Sequence, residues 1–284
     1  MSTFLQDFAA FAKANGYHIF RVTEILQGES ETLELHPVPR CQNSYSVAKV
    51  FVVTALGMLW DRGLLRTDDR ITDILHRFLP NGIDPRWEAV TVEDAILHKL
   101  GLPGGFLDID LKDCPAYGTD FLGCIFSEPF ITDPCRTYCY TDAAYYLLSR
   151  VVATLAGMPL DDFLREELFL PLQFAEAAWT RCPKGHAMGA TGLYLHSADM
   201  AKLGEVYLRG GLYGGKRLIS AEWAQTVLEK GYELSPIADT GAYGKRGMYG
   251  QMLLIQPRTQ RVVAFHGFSP KSIGDLNLFA ARYA

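Results

Sequence analysis

The stretch Asn43-Ser44-Tyr45-Ser46-Val47-Ala48-Lys49-Val50-Phe51 sets a hydroxyl and an amine three residues apart at the head of a strongly apolar run. Asn43 and Ser44 are cap candidates, and the pattern from Val47 to Trp60 predicts a helix that Gly63 terminates. Residues three apart at a helix start share one face, so Ser46 and Lys49 point the same way. A serine hydroxyl is a poor nucleophile at neutral pH and needs a base beside it. A helix N-terminus offers N–H groups and a partial positive charge that favour an oxyanion. The apolar neighbours Val50, Phe51, Val52 and Val53 would desolvate the ammonium and ease its deprotonation. No other serine in the chain has a lysine three residues on, yet about one such match is expected by chance in a chain this long. The surroundings therefore decide.

On the N-terminal side, Phe4, Phe8 and Phe11 have helical spacing and Asn15-Gly16 supplies a stop. Tyr17 to Leu26 is rich in β-branched and aromatic residues; a turn at Gly28-Glu29 and Thr32 to His36 follow, which reads as a hairpin. On the C-terminal side, Thr91 to Asp94 opens a helix over 91–98 with a capping-box pattern. Residues 104–135 show little periodicity and predict a long, cleft-bordering loop with short helical pieces. Helices are expected over 142–156 and 159–169, separated by Gly157, with Pro159 near the second start. Ser197 is expected to cap a helix ending at Gly210, and Ser220 one ending at Gly231. Met248 to Gln256 and Arg261 to His266 make a hairpin around Pro257 to Gln260, and Gly274 to Ala284 returns to helix. The order predicts an α+β fold: an antiparallel sheet flanked by N- and C-terminal helices, with an inserted all-α lobe. The expected division is one catalytic unit over 1–284, with an α/β lobe at 1–40 plus 200–284 and a mainly helical lobe at 41–199.

Bulk properties narrow the function. Of 284 residues, 49% are hydrophobic and 21% charged, which is ordinary globular composition. A formal charge of −5 and the lack of a basic stripe argue against nucleic acid. The most apolar stretch, Val50 to Trp60, is too short for a membrane span. Met1 to Asp7 has no basic n-region or cleavage site, so the expected location is cytoplasmic. The six cysteines contain no C-x-x-C pair and are expected to be reduced thiols. There is no G-x-S-x-G, H-E-x-x-H, Walker or G-x-G-x-x-G pattern, and none of the seven histidines has metal-ligand spacing with another.

Asn43 to Phe51 resembles the nucleophile helix of class C β-lactamases and their esterase and peptidase relatives. Gly63 to Asp69, GLLRTDD, resembles the "G-x-L-x-L-D-D" segment of that superfamily, and Thr91 to Pro103, TVEDAILHKLGLP, its "T-V-R-D-L-L-T-H-T-S-G-L-P". Tyr140-Thr141-Asp142 and the following AAYYLL resemble "Y-S-N-x-x-Y-x-L-L-G", and Phe169 to Leu172 is similar to "L-F-x-P-L-G". Ala190 to Tyr194, Asp199 to Leu203 and Gly215 to Ser220 complete the series. These matches run in order from about residue 40 to about 265, and their ordered co-occurrence is the specific signal.

The resemblance implies three active-site elements and a β-lactamase/transpeptidase-like fold. Ser46 and Lys49 are the first. Tyr140 carries the second, a phenol that relays protons between Ser46, Lys49 and the leaving group; read without the resemblance it is a packed aromatic. The third is a K-T-G strand, matched best by Lys245-Arg246-Gly247 and leading into Met248-Tyr249. The Met248 and Ser46 N–H groups would form the oxyanion hole, Lys245 would hold a substrate carboxylate, and Asp142, Arg246, Gly247 and Tyr249 would line the substrate. Tyr249-Gly250 and His266-Gly267 are alternative positions for this motif. Two residues depart from the pattern, Asp142 for Asn and Arg246 for Thr or Ser, which puts efficient β-lactam hydrolysis in doubt. They suggest an Asp142–Arg246 or an Asp142–Lys49 pair, against an Arg246 that simply points to solvent. The implied reaction is acyl transfer to water through a Ser46 ester of an ester, small amide or lactam. The alternatives are a β-lactamase or D-alanyl carboxypeptidase, and a non-catalytic binding or sensor member. No metal or organic cofactor is implied, and the expected partner is a small molecule, neither nucleic acid nor membrane.

Overall fold

The computed structural model describes residues 1–283; the Ala284 end of the last expected helix lies outside the described residues. Along the chain, helix α1 (Thr3–Ala14) leads into strands β1 (Ile19–Leu26), β2 (Glu29–Glu34) and β3 (Gln42–Asn43). Helices α2 (Ala48–Asp61), α3 (Ile71–Ile74), α4 (Val92–Ile96), α5 (Phe121–Ser127), α6 (Asp142–Ala156) and α7 (Leu160–Leu164) follow. Then come β4 (Ala177–Trp179), β5 (Leu193–Leu195), α8 (Ser197–Leu208), the ribbon β6 (Leu212–Tyr213) and β7 (Lys216–Arg217), and α9 (Ala221–Lys230). Strands β8 (Ser235–Pro236), β9 (Tyr243–Gly247), β10 (Gln251–Gln256) and β11 (Arg261–Gly267) precede α10 (Gly274–Arg282). The α+β class is as the sequence predicts. The chain divides into two compact units, Met1–Phe51 with Glu166–Ala178 and Leu193–Ala284, and Val52–Arg165 with Trp179–Gly192.

The first unit holds a six-stranded antiparallel sheet of order β2-β1-β11-β10-β9-β8. Strand alternation gives it two apolar faces. On one, Ile19, Val22, Met252, Leu254, Val263 and Phe265 pack with Phe4, Leu5 and Phe8 of α1 and Leu276 and Ala280 of α10. On the other lies α8, which approaches β11 so closely that a Cβ on Gly204 would meet Val262 Cγ1 at 2.5 Å. That contact explains a glycine inside a helix, where it is otherwise unfavourable by about 1 kcal/mol. Ser2 caps α1 by accepting from Leu5 N at 3.2 Å. The Arg261 guanidinium donates to Glu24 Oε1 at 2.7 Å and to the Tyr283 carbonyl at 2.7 Å, and lies 5.2 Å from the Phe4 and Tyr283 rings. One buried cation thus ties β1, β11 and both termini together.

The second unit is mainly helical. Its core gathers Trp87, Phe121, Tyr145 and Tyr146, all fully or almost fully buried. Thr91 and Asp94 form the expected reciprocal capping box at α4. Helix α6 starts from a Thr141 cap, is buried from Asp142 to Val152, and ends at Gly157 in the left-handed region (φ +70°). The long segment after residue 104 carries the short helical pieces expected of it, Cys114–Tyr117 and α5.

Several boundaries differ from the sequence reading. The first unit extends to Phe51, not to residue 40, and takes in 166–178 and 193–199. The reason is local: Ser44 donates from both N and Oγ to the Leu193 carbonyl, each at 2.8 Å, and β3 pairs with β5. His196 caps α8 in place of Ser197, accepting from Ala198 N, while the Ser197 hydroxyl turns to Thr23 Oγ1. The helix expected over 159–169 is α7 continued by a π-helical turn, Arg165–Phe169. All six cysteines are unpaired. No single helix among the described residues is long and apolar enough to cross a membrane.

The Arg261–Glu24 pair is nearly inaccessible, so removing one partner strands a buried charge. Arg261→Ala or Glu24→Gln is expected to destabilise the protein by about 3–5 kcal/mol in urea unfolding. Replacing both together, Arg261→Met with Glu24→Leu, should cost much less than the sum of the single changes.

Candidate active site

In the first unit, Ser46 sits in a single 3₁₀ turn, Tyr45–Val47, that feeds directly into α2. Lys49 lies in the first turn of α2, is fully buried, and donates from Nζ to Ser46 Oγ at 3.2 Å. Burial works against the ammonium form of an amine, and Val50 and Phe51, which follow Lys49, are fully buried as well.

The turn is held by side chains that do not cap the helix as the sequence suggests. Asn43 Oδ1 accepts from Tyr45 N at 2.8 Å, forming an Asx turn, while Ser44 is committed to Leu193. Between them Tyr45 is forced to φ +45°, a left-handed conformation that bulky residues rarely adopt. That bend turns the chain at the residue immediately before Ser46.

The end of β9 abuts the same turn. A Cβ on Gly247 would lie 2.5 Å from the Ser44 carbonyl oxygen, so only glycine fits. Strand β9 returns to β10 through Met248-Tyr249-Gly250, with Gly247 opposite Gln251 and Tyr249 at φ +60°. Met248 and Tyr249 therefore belong to the connecting loop, and the hairpin strand expected from Met248 starts at Gln251. The buried Gln251 amide, which the sequence reading missed, fastens this loop. It donates to the carbonyls of Met248 (3.0 Å) and Gly267 (2.8 Å) and accepts from Gly267 N (3.1 Å). The Tyr249 ring stands 5.5 Å from Tyr45 and 4.7 Å from the half-exposed Phe268.

Along β9, Lys245 and Gly247 share the face that abuts the Ser46 turn. Lys245 does not stand ready for a substrate carboxylate, because its ammonium is ion-paired with Glu233. Arg246 lies opposite Met252, whose side chain belongs to the face covered by α1 and α10; Arg246 is exposed and forms no ion pair among the described residues. His266 is equally unsuited to the site: it is 1% exposed within β11, opposite Arg21, and its Nε2 has no hydrogen-bond partner among the described residues. Gly267 beside it pairs with Ile19 in the sheet.

In the second unit, the Tyr140 ring stacks on His98 with centroids 4.4 Å apart, and His98 Nδ1 accepts from Thr141 N at 3.3 Å. Asp142 is buried at the first position of α6, where the helix dipole favours a carboxylate. Thr141 Oγ1 donates to the Phe106 carbonyl at 2.8 Å, and Asp142 N to the same carbonyl at 3.1 Å. Asp108, Asp110 and Asp142 bring carboxylate oxygens within 4.8 Å of one another, the one such group of potential metal ligands among the described residues. Asp108 Oδ1 accepts from Asp110 N and Leu111 N, and Asp110 Oδ2 accepts from Thr191 Oγ1 at 2.5 Å. Asp108 and Asp110 were not singled out from the sequence, since they lie in an aperiodic loop with no spacing rule, and His98 was read only as part of the Thr91 to Pro103 stretch.

A sequence model of the family described as Beta-lactamase matches residues 43–275 of the chain. Penicillin-binding protein 4 of Amycolatopsis lactamdurans is 36% identical over 131 residues, 45% of this chain and 33% of that protein. The first three curated relatives are covered over 33%, 55% and 66% of their own lengths. Among solved structures, a penicillin-binding protein homologue from Caulobacter crescentus superposes with a TM-score of 0.75 at 17% identity, covering 98% of this chain and 94% of that one. A family VIII carboxylesterase superposes with a TM-score of 0.74 at 16% identity, covering 98% and 95%. These structural likenesses are likenesses of fold.

Burial pushes the His266 pKa down to about 3, with His196 and Arg21 adding to the effect. An unfolded histidine titrates near about 6.5. The native state therefore keeps its full stability above that value and loses it as pH falls toward 3. The slope due to this residue approaches about 1.4 kcal/mol per pH unit. In denaturant titrations across this range, His266→Gln is expected to flatten the acid limb of the stability curve.

Proposed function

This chain belongs to the Beta-lactamase family, and from that premise we propose that it is a serine hydrolase working through a covalent Ser46 ester. The observation that carries the reading is the fully buried Lys49 amine, 3.2 Å from the Ser46 hydroxyl, in a turn packed against the end of β9. In the proposed cycle Lys49 receives the Ser46 proton as Oγ attacks the acyl carbon. The N–H groups of Ser46 and Met248 stabilise the developing oxyanion, and the leaving group departs with a proton. Water then hydrolyses the ester and restores Ser46. The part given to Tyr140, a proton relay to the leaving group, rests on its Y-T-D motif.

The substrate class is an ester, small amide or lactam. Hydrolysis of carboxylate-bearing β-lactams or D-alanyl peptides is the second reading, suggested by the names of relatives such as the Amycolatopsis lactamdurans protein. The Lys245–Glu233 pair and Asp142 at the motif's Asn position weigh against it. A reducing compartment, the cytoplasm, fits six unpaired cysteines.

A fluorophosphonate probe read by intact mass should give one adduct on the wild type, mapping to Ser46, and none on Ser46→Ala. Lys49→Ala should lower turnover of a 4-nitrophenyl ester by a factor of about 10³ or more while leaving the circular dichroism unchanged. Tyr140→Phe should slow acylation less for a good leaving group than for an amide, since only the amide needs a proton donor. Hydrolysis by Ser46→Ala comparable to wild type would overturn the mechanism, and an adduct without turnover of any substrate would favour a sensor.

A further inference from the structure

We propose that Glu233 is a specificity-determining residue: by pairing with Lys245 beside the nucleophile turn, it reserves the site for substrates without a carboxylate next to the scissile bond. This inference rests on the serine hydrolase reading above and names its substrate class.

Strand β8 forms one edge of the six-stranded sheet. Strand β8 pairs with β9 only at Ser235–Gly244 and Pro236–Tyr243. The chain leaves strand geometry before that, and at Glu233 it takes φ +64°. Such a φ suits glycine or asparagine and is rare for glutamate. Its neighbours fix the residue there. Tyr232 and Leu234 are fully buried, Tyr232 packing against Trp223. The Glu233 side chain is 6% exposed and that of Lys245 13% exposed. The carboxylate is thus placed on Lys245 by a rigid, unfavourable backbone turn, not by the drift of a flexible surface side chain.

Lys245 follows Gly244 on β9 and precedes Gly247 by two residues, so alternation puts it on the face that abuts Ser44 and the Ser46 turn. A cation in this position would draw the carboxylate of an acidic substrate. With Glu233 in contact, the local pair is neutral. A substrate carboxylate then meets either a compensated ammonium or the repulsion of a second carboxylate, and like-charge juxtaposition is the strongest means of rejecting a wrong ligand. The adjoining surface suits an uncharged substrate, since Tyr45, Tyr249 and the half-exposed Phe268 present aromatic rings beside the same turn.

The test compares a depsipeptide ester of D-lactic acid, which carries a free carboxylate, with its uncharged primary amide. The readout is the ratio of their kcat/KM values, which general damage to the enzyme does not move. The wild type should favour the uncharged ester, and Glu233→Gln should shift the ratio toward the acid by about tenfold or more. Lys245→Met in the Glu233→Gln background should cancel the shift. Because Glu233 lies in the left-handed region, Glu233→Asn serves as a second variant whose backbone preference matches the site. A parallel measurement needs no turnover: N-acetyl-D-alanine binding by calorimetry should tighten by about tenfold in the same variants. If neither ester is hydrolysed but the variants gain this binding, the hydrolase reading falls and the role of Glu233 stands. If hydrolysis proceeds and both the ratio and the binding match wild type in Glu233→Gln and Glu233→Asn, the inference is overturned. A wild-type enzyme that prefers the acidic ester overturns it as well.

Discussion

Gly247 approaches the Ser44 carbonyl so closely that a single methyl group would come within 2.5 Å of it. Both sides of that contact are backbone, so neither yields by rotating a side chain. The position of the nucleophile turn is therefore referred to the end of β9, and β9 takes its register from β10 and β11. The other bonds at the turn serve the same end. Ser44 is fixed to Leu193, and the loop beyond Gly247 is fixed through Gln251 to Gly267. A residue on a short 3₁₀ turn has little intrinsic rigidity, and for Ser46 the end of β9 supplies it.

Three non-glycine residues of this region, Tyr45, Tyr249 and Glu233, occupy the left-handed region. Each such conformation is unfavourable, and together they imply a local cost of a few kcal/mol. The offset comes from elsewhere in the same unit. Helices α1 and α10 bury a continuous aromatic and aliphatic core against one face of the sheet, and Arg261 joins both ends of the chain to β1. Stability concentrated in that core offsets the cost of these strained turns.

The sequence was most legible where one physical rule governs a contiguous stretch. The apolar periodicity of residues 4–14, the capping box at Thr91, the left-handed stops at Gly157 and Gly231, and the hairpin around Pro257 to Gln260 all follow such rules. The Ser46–Lys49 spacing belongs with them, because three residues on one turn determine a distance. Strands of two or three residues, β3, β5 and β8, are too short to show alternation, and so the extent of the first unit was underestimated. Groups assembled by tertiary contact left no local trace. Glu233 and Lys245 are twelve positions apart with β8 and the connection to β9 between them, and Asp108, Asp110 and Asp142 converge from a loop and a helix start. The motif position His266-Gly267 was undecidable from sequence for the converse reason: its chemistry is suitable and only burial excludes it.

The nature of the Lys245–Glu233 pair bears on why it exists. Desolvating two charges is expensive, and a well-packed apolar pair of similar volume commonly gives equal or greater stability. Stability alone therefore does not account for a buried lysine on β9 matched by a glutamate in an unfavourable backbone conformation. A lone lysine there would leave a nearly buried cation, and a lone glutamate a nearly buried anion. Each is tolerable only because of the other, so the two positions are constrained jointly. Lys245 also has a geometric duty that an apolar residue would not perform, since its ammonium fixes the Glu233 carboxylate beside the unpaired stretch of the β9 edge beyond β8. The result is a dipole of defined direction next to the nucleophile turn in place of a net charge. On the proposed reading, such a dipole would orient a polar, uncharged acyl group without binding an anion.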